Sequence, residues 1–288
     1  TPCAPAPEDT TARHIPGRGQ LFHRTELLVG KPAMAALTAA RVAVFGVGGV
    51  GSWAAEALVR SGIEHLLLVD SDVICATNVN RQAQATALNV GQSKPEELRR
   101  RLLDINPRAA IEARQMPYNE STRNQFDLRA FDYVLDCIDS LSNKVLLLTQ
   151  CQSAGTTVFS SMGAGAKLDP TRVRVAPLSE SSVCPLARMV RKRLGRRGHP
   201  RDFLCVYSDE LPRDPVEATA CGTGVCDCQP GGAGEDRPDW CARKKRVNGT
   251  VVHVTAVFGF TLAGLVVQEV MARSAQVPPA AGRTKPTV

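Results

Sequence analysis

Short apolar runs alternate with amphipathic stretches between residue 41 and about residue 161. Residues 42–45, 66–69, 133–135 and 157–159 are continuous apolar or β-branched runs, the pattern of strands covered on both faces. Between them, residues 53–60, 94–105 and 141–154 read as helices, the second with Ser93 at its N-cap position and Pro95 in its first turn. Strand-helix-strand alternation predicts parallel strands joined by right-handed crossovers. The fold class that follows is α/β, a Rossmann-like, mostly parallel sheet with flanking helices and a C-terminal β/α extension.

The pattern loosens after Ser161. Gly163-Ala164-Gly165 leads to Asp169-Pro170, a turn between two short β-like runs, and residues 185–197 read as a basic helix. Residues 210–248, dense in Gly, Pro, Cys and charge, predict a long surface loop. Residues 1–19, rich in Pro, Thr and Ala, predict a flexible arm, and residues 273–288 a flexible tail. The uncharged stretch 254–267 is shorter than the ~20 residues of a bilayer span and reads as a buried strand and helix, not a membrane insertion. No internal repeat is visible.

A chain of 288 residues, 43% apolar and 22% charged, can bury a substantial core, and collagen-like, wholly disordered and polytopic membrane classes are excluded. Its 35 Lys and Arg outnumber its 28 Asp and Glu, but the excess is local. Arg188, Arg191, Lys192, Arg193, Arg196, Arg197 and Arg201 form one run without an acid, and Arg243, Lys244, Lys245 and Arg246 form another. Without these 11 cations the balance is 24 against 28, so the basicity marks a docking surface for phosphates on an otherwise slightly acidic body. Most of the ten cysteines lie in apolar runs without matched spacing, which favours a reducing, cytoplasmic location. The chain opens at Thr1 without a charged-then-apolar leader, so a signal peptide is expected to be absent or already removed, and a mitochondrial address stays open.

Candidate chemistry begins where the first predicted strand meets a helix. Gly46-Val47-Gly48-Gly49-Val50-Gly51 can turn tightly and present backbone N–H groups at a helix N-terminus to a phosphate. Asp70 ends the next strand, where an acid meets the ribose of a bound nucleotide. That much suits a dehydrogenase, but Asp72, Asn78, Arg81, Lys94, Asp136 and Asp139 do not, because hydride transfer needs no such set of cations and acids. Attack of a carboxylate on an α-phosphate does: Arg81 and Lys94 can neutralise the phosphate charge, Asn78 can hydrogen-bond an oxygen, and Asp139 can hold Mg2+.

These residues resemble a known signature. Gly46 to Gly51, Asp70-x-Asp72, Asn78-x-x-Arg81-Gln82, Lys94 and Asp136-Cys137-x-Asp139 match the adenylation motif of the ubiquitin-activating-enzyme superfamily, which includes the molybdopterin- and thiamine-synthesis adenylyltransferases. Within it the chain is most similar to the tRNA threonylcarbamoyladenosine dehydratases. That likeness shows in residues 48–58, Ile105-Asn106-Pro107, Gly163-Ala164-Gly165 before Leu168-Asp169-Pro170, Tyr207-Ser208 before Glu210 and Pro212, and residues 255–260. The resemblance spans residues 21–272, including the opening segment 22–30, and implies one adenylation domain over 20–272 with a nucleotide-binding half (41–161) and a substrate half (162–272). It implies catalytic roles for Arg81, Lys94, Asp139 and Arg24, and cofactor binding by Gly46, Gly48, Gly49, Gly51, Asp70, Asp72 and Asn78. Arg24 matches the position from which related enzymes supply an arginine to the partner subunit's ATP, which implies a homodimer.

The implied reaction uses ATP and Mg2+ to activate the free carboxylate of N6-threonylcarbamoyladenosine in tRNA, by adenylation or phosphorylation. The modification's own nitrogen then closes the ring, so no catalytic cysteine is needed. Arg191, Lys192, Arg193, Arg196 and Arg197 are the expected tRNA contacts. The superfamily members that activate ubiquitin-like carriers usually hold zinc between two Cys-x-x-Cys pairs, which this chain lacks. Cys221, Cys226, Cys228 and Cys241 match zinc spacing poorly, leaving free loop thiols as the plainer reading. Cys241 and Cys184 are candidate thiols for a sulfur-relay or redox role with a protein partner, although neither has a His or Asp partner in sequence. Three other functions stay open: an adenylyltransferase for a ubiquitin-like sulfur carrier, a nucleotide-binding scaffold without turnover, and, most distantly, a dehydrogenase.

Overall fold

A computed structural model describes residues 15–217 and 248–276. Seven strands form one sheet: β1 (Arg41–Phe45), β2 (His65–Asp70), β3 (Ala110–Gln115), β4 (Tyr133–Asp136), β5 (Thr157–Ser161), β6 (Val173–Pro177) and β7 (Leu204–Ser208). Their order is β3-β2-β1-β4-β5-β7-β6, all parallel except β6, which runs antiparallel to β7 at one edge. The order reverses between β1 and β4, and ligands of open α/β sheets bind at that crevice, outside the strand C-termini.

Helices α1 (Arg18–Leu21), α2 (His23–Val29), α3 (Lys31–Ala39), α4 (Gly51–Arg60), α5 (Lys94–Ile105), α6 (Leu141–Ala154), α7 (Pro185–Arg196) and α8 (Val252–Gln276) cover the sheet. Alternate strand residues explain the unbroken apolar runs. Val42 and Val44 pack with Leu37, Leu58, Leu98, Phe258 and Leu262 on one face, whereas Ala43 and Phe45 pack with Tyr118, Val145, Leu148, Val190 and Leu194 on the other. A period-2 strand with both faces buried has no polar side to show.

Four expectations need correction. The stretch 254–267 is not a strand and a helix but part of the single helix α8, which buries Val254, Phe258, Leu262, Val266 and Val270 in the core. At 25 residues α8 is long and apolar enough to cross a membrane, so the length argument against a span fails, although its buried stripe marks a core helix. It also runs to Gln276, past the boundary set at 272. Lastly, residues 16–19 are docked to the body: Arg18 pairs with Glu64 at 2.5 Å and Pro16 O accepts from Arg108 at 2.7 Å. Ser93 does occupy the N-cap of α5 as expected, with a hydroxyl that makes no capping bond and is buried without a partner.

Gly259 lets α8 lie directly on α4, since a Cβ there would come within 2.5 Å of Val50 O and 2.9 Å of Trp53 Cβ. On the loop after β5, Ala166, at φ +63°, donates to Gly249 O (2.8 Å) and accepts from the amide of Arg213 (2.9 Å).

Candidate nucleotide site

The glycine segment leaves β1 at the sheet's switch point. Gly46 turns the chain at φ +87°, and a Cβ on it would sit 2.7 Å from Cys137 O, so only glycine fits between β1 and the end of β4. The next amides are tied to the end of β2: Gly46 N donates to Val69 O and Val47 N to Asp70 Oδ2, each at 2.8 Å. Among the described residues, Gly48 and Gly49 donate their amides to no backbone group, and they stand just before α4, where the helix end favours an anion.

Two cations and three acids surround this turn. Lys94, buried at the start of α5, pairs with Asp72 at 2.7 Å, and its amide donates to Asp72 O. Asp70 accepts from the amide of Asp72 at 2.9 Å as well as from Val47, and burial raises its pKa against the opposing pull of Lys94. The Arg81 side chain lies over Gly49, whose hypothetical Cβ would come within 3.2 Å of Arg81 Cγ and Cδ. Burial lowers the pKa of Arg81, and Cys75 and Asp139 draw it back; an arginine stays charged regardless. Asp139 is exposed on the loop after β4, within electrostatic reach of Arg81. Arg81, Lys94, Asp70, Asp72 and Asp139 thus rim one glycine turn.

The remaining candidates divide. Asn78 serves the loop itself: its Oδ1 accepts from the amide of Cys75 (3.0 Å), and its backbone oxygen accepts from the amides of Arg81 and Gln82 (3.0 Å each). Arg24 is exposed on α2, and its own chain does not bring it to the glycine turn. On α7, Ala187, Val190 and Leu194 face the core while Lys192, Arg193, Arg196 and the C-cap residue Arg197 face solvent. Arg191 departs from the expected set, because its guanidinium is turned inward onto Leu178 O, Ser181 O and the Ser181 hydroxyl. Arg193 reaches Ser142 Oγ (3.0 Å) in the first turn of α6, three residues beyond Asp139. The exposed cations therefore extend to the edge of the site.

Cys184 is buried at the N-cap of α7. Burial pushes the thiol of Cys137, under the glycine turn, up to about 12, which keeps it unreactive at neutral pH. Cys221, Cys226, Cys228 and Cys241 lie outside the described residues. Among the described residues no three His, Cys, Asp or Glu side chains cluster as a metal site. A single outward carboxylate at Asp139 fits Mg2+, which commonly binds through one or two carboxylates and completes its shell with phosphate oxygens and water.

Sequence reasoning missed four supporting residues. Lys144 is fully buried, pairing with Asp136 at 2.7 Å and donating to Ser161 O at 2.9 Å. Its signal was a lysine beside the apolar run Val145-Leu146-Leu147-Leu148. Gln84 Nε2 donates to Val47 O and Trp53 Nε1 to Arg81 O, each at 2.9 Å. Asn80 joins Arg81 to Thr250 O. The last three carried no sequence signal, because their partners are main-chain atoms distant along the chain or an adjacent side chain.

The fold and this ring of charge define an α/β protein with a site suited to the phosphates of a nucleotide at its switch point. The ThiF family model matches residues 22–286, and the chain belongs to that family. It is 44% identical over 191 residues to the tRNA threonylcarbamoyladenosine dehydratase of Bacillus subtilis, covering 66% of this chain and 75% of the relative. With the Escherichia coli protein of the same name it shares 35% identity over 264 residues, 89% of this chain and 96% of the relative. The structure of the Escherichia coli dehydratase in complex with ATP superposes with a TM-score of 0.75 at 30% identity, covering 90% of this chain and 96% of that one.

Proposed function

We propose that this chain is an ATP-dependent tRNA threonylcarbamoyladenosine dehydratase, forming the cyclic modification by activating the substrate's carboxylate. The observation that carries the reading is the convergence of Arg81, Lys94, Asp70, Asp72 and Asp139 on one glycine turn at the switch point. Its support from relatives is the shared name at 35% identity over nearly the whole chain and the ATP complex of a structural neighbour.

In this mechanism the glycine amides and the α4 N-terminus hold phosphate oxygens, while Asp70 accepts from the ribose hydroxyls. Arg81 and Lys94 would offset the negative charge on the phosphate oxygens as the carboxylate attacks phosphorus and the pyrophosphate leaves. Lys94 reaches that state by exchanging some of its pairing with Asp72 for phosphate. Asp139 would hold Mg2+, which supplies further charge neutralisation at the phosphates. The chain then has to position the modification's own nitrogen for ring closure, a contribution of orientation and not of a nucleophile.

The exposed cations Lys192, Arg193, Arg196 and Arg197 are assigned to the tRNA backbone. Arg24 is assigned to the site of a second copy, supported by Leu27 (73% exposed) and Leu28 (83% exposed) on the same short helix, an apolar surface suited to burial in a homodimer. The domain is taken as one adenylation unit from about 20 to 276, in a cytoplasmic setting.

Incubating the protein with ATP, Mg2+ and threonylcarbamoylated tRNA, then weighing the released nucleosides, tests the proposal. The expected product is lighter by one water and absent without ATP. Unchanged nucleosides, together with pyrophosphate exchange that depends on a carrier protein ending in Gly-Gly, would overturn it in favour of a sulfur-carrier adenylyltransferase.

A further inference from the structure

Asn80 is exposed, carries no charge and sits beside the arginine assigned to the phosphates, yet its carboxamide is engaged at both ends. Oδ1 accepts from Arg81 Nη1 at 2.9 Å, and Nδ2 donates to Thr250 O at 2.9 Å, across 170 positions of chain. The other partner of Arg81 Nη1 is Thr77 O at 2.7 Å. One guanidinium nitrogen is therefore held by the fixed carbonyl of its own loop and by a side chain that answers to a different part of the protein.

That different part is the approach to α8. Ala166 donates to Gly249 O at 2.8 Å, and a Cβ on Gly165 would lie 3.3 Å from Asn248 Cβ and 3.5 Å from Thr250 Cγ2. Residues 248–250 thus rest on the loop after β5, in the substrate half, while Asn80 ties them to the nucleotide loop. Two residues later α8 starts, and Thr255 on it comes close to Gly49, 3.4 Å from a Cβ placed there. No other described side chain bonds both Arg81 and this segment.

We infer that Asn80 is a positioning residue that fixes the Arg81 guanidinium at the end of a stem lying over the glycine turn, and couples that placement to the 248–250 segment. The inference rests on the reading of Arg81 as a phosphate ligand. A hydrogen bond to a charged group is stronger than a neutral one, but here water competes for it. Its effect is therefore on the population of one Arg81 arrangement, not on the fold. A guanidinium already placed loses less freedom when the phosphate arrives, which favours both binding and turnover.

The test is a double-mutant cycle in the full-length chain: Asn80→Ala, Arg81→Ala and both together. ATP affinity is read by calorimetry and kcat with threonylcarbamoylated tRNA, with melting temperature as the folding control. Asn80→Ala is expected to keep the wild-type melting temperature, and to weaken ATP binding and lower kcat by roughly tenfold each. Arg81→Ala lowers both further, and adding Asn80→Ala to it changes either by less than about twofold, because the acceptor no longer has its donor. Independent effects that multiply in the double variant overturn the inference, as does wild-type affinity and kcat in Asn80→Ala. If the wild type binds ATP but cyclises no nucleoside, the proposed function falls, and the affinity cycle alone still decides for or against Asn80.

Discussion

Lys144 and Asp136 form an ion pair, Nζ to Oδ2 2.7 Å, with neither side chain exposed to solvent. Ser160 Oγ donates to the same carboxylate oxygen at 2.6 Å, and Asp136 Oδ1 accepts from the amide of Ile138 at 3.2 Å. The pair lies beneath the loop that carries Asp139, so it ties the metal-binding candidate to the floor of the sheet. Replacing Lys144 by Ala strands a buried carboxylate and is expected to cost about 3–5 kcal/mol, measured by denaturant unfolding. Replacing both partners, as Asp136→Asn with Lys144→Met, should cost much less than the sum of the single changes. An additive result would mean that the two groups do not depend on each other.

Asp139→Ala separates chemistry from folding. An exposed side chain makes little contribution to the core, so unfolding free energy should stay within about 0.5 kcal/mol of wild type. Turnover should drop by at least about a hundredfold. A variant that keeps its activity at saturating Mg2+ would remove Asp139 from the reaction.

Gly259→Val is expected to act at a distance. Even the first added carbon would meet Val50 O, Ala54 N and Trp53 Cβ at 2.5 to 2.9 Å, so α8 must shift away from α4 at a cost of about 1–3 kcal/mol. Because α4 follows directly from the glycine turn, ATP affinity should fall along with the melting temperature. Retained affinity in a destabilised variant would show that the turn holds its shape without α8.

Acidification should weaken ATP before it weakens the fold. Burial raises the Asp70 pKa, although Lys94 and two backbone amides oppose the rise. The carboxylate assigned to the ribose is then lost at a higher pH than for an ordinary aspartate. For stability the sign is opposite: an acid with a raised folded-state pKa favours the folded chain as pH falls through that value. ATP titrations taken from neutral pH toward acid, with melting curves alongside, should show affinity declining on the acid side without a stability loss traceable to this group. Asp70→Asn should weaken binding and flatten the profile.

Charge reversal on α7 should split the basic residues into two kinds. Lys192→Glu, Arg196→Glu and Arg197→Glu are expected to weaken tRNA binding and to reduce its salt dependence by roughly one unit of log-log slope for each phosphate left without its cation. Arg191→Ala should instead lower the melting temperature, since it leaves Leu178 O and Ser181 O without their shared donor. Equal effects of all four on tRNA would return Arg191 to the docking surface.

Legibility in the sequence followed burial geometry. The strands of residues 42–45, 66–69 and 133–135 could be read because both faces are covered. β3 went unread because its Ala110-Ile111-Glu112-Ala113-Arg114-Gln115 lies at a sheet edge with every residue at least partly exposed. α8 was misread because a uniformly apolar stretch offers no polar face from which to count a helical period. The charged rim was visible as a motif, but which charges are committed internally was not. Arg191 and Lys192 are adjacent cations in the sequence, yet one faces backbone carbonyls and the other faces water.

Both hydrogen-bonding groups of the Ala166 backbone meet the same excursion of the chain, one as it departs at Arg213 and the other as it comes back at Gly249. Arg213 and Gly249 therefore share one anchor, the backbone of a single residue on the loop after β5. Whatever displaces Ala166 must displace Gly249 with it, and since Gly249 lies three residues ahead of α8, the loop after β5 sets where that helix begins.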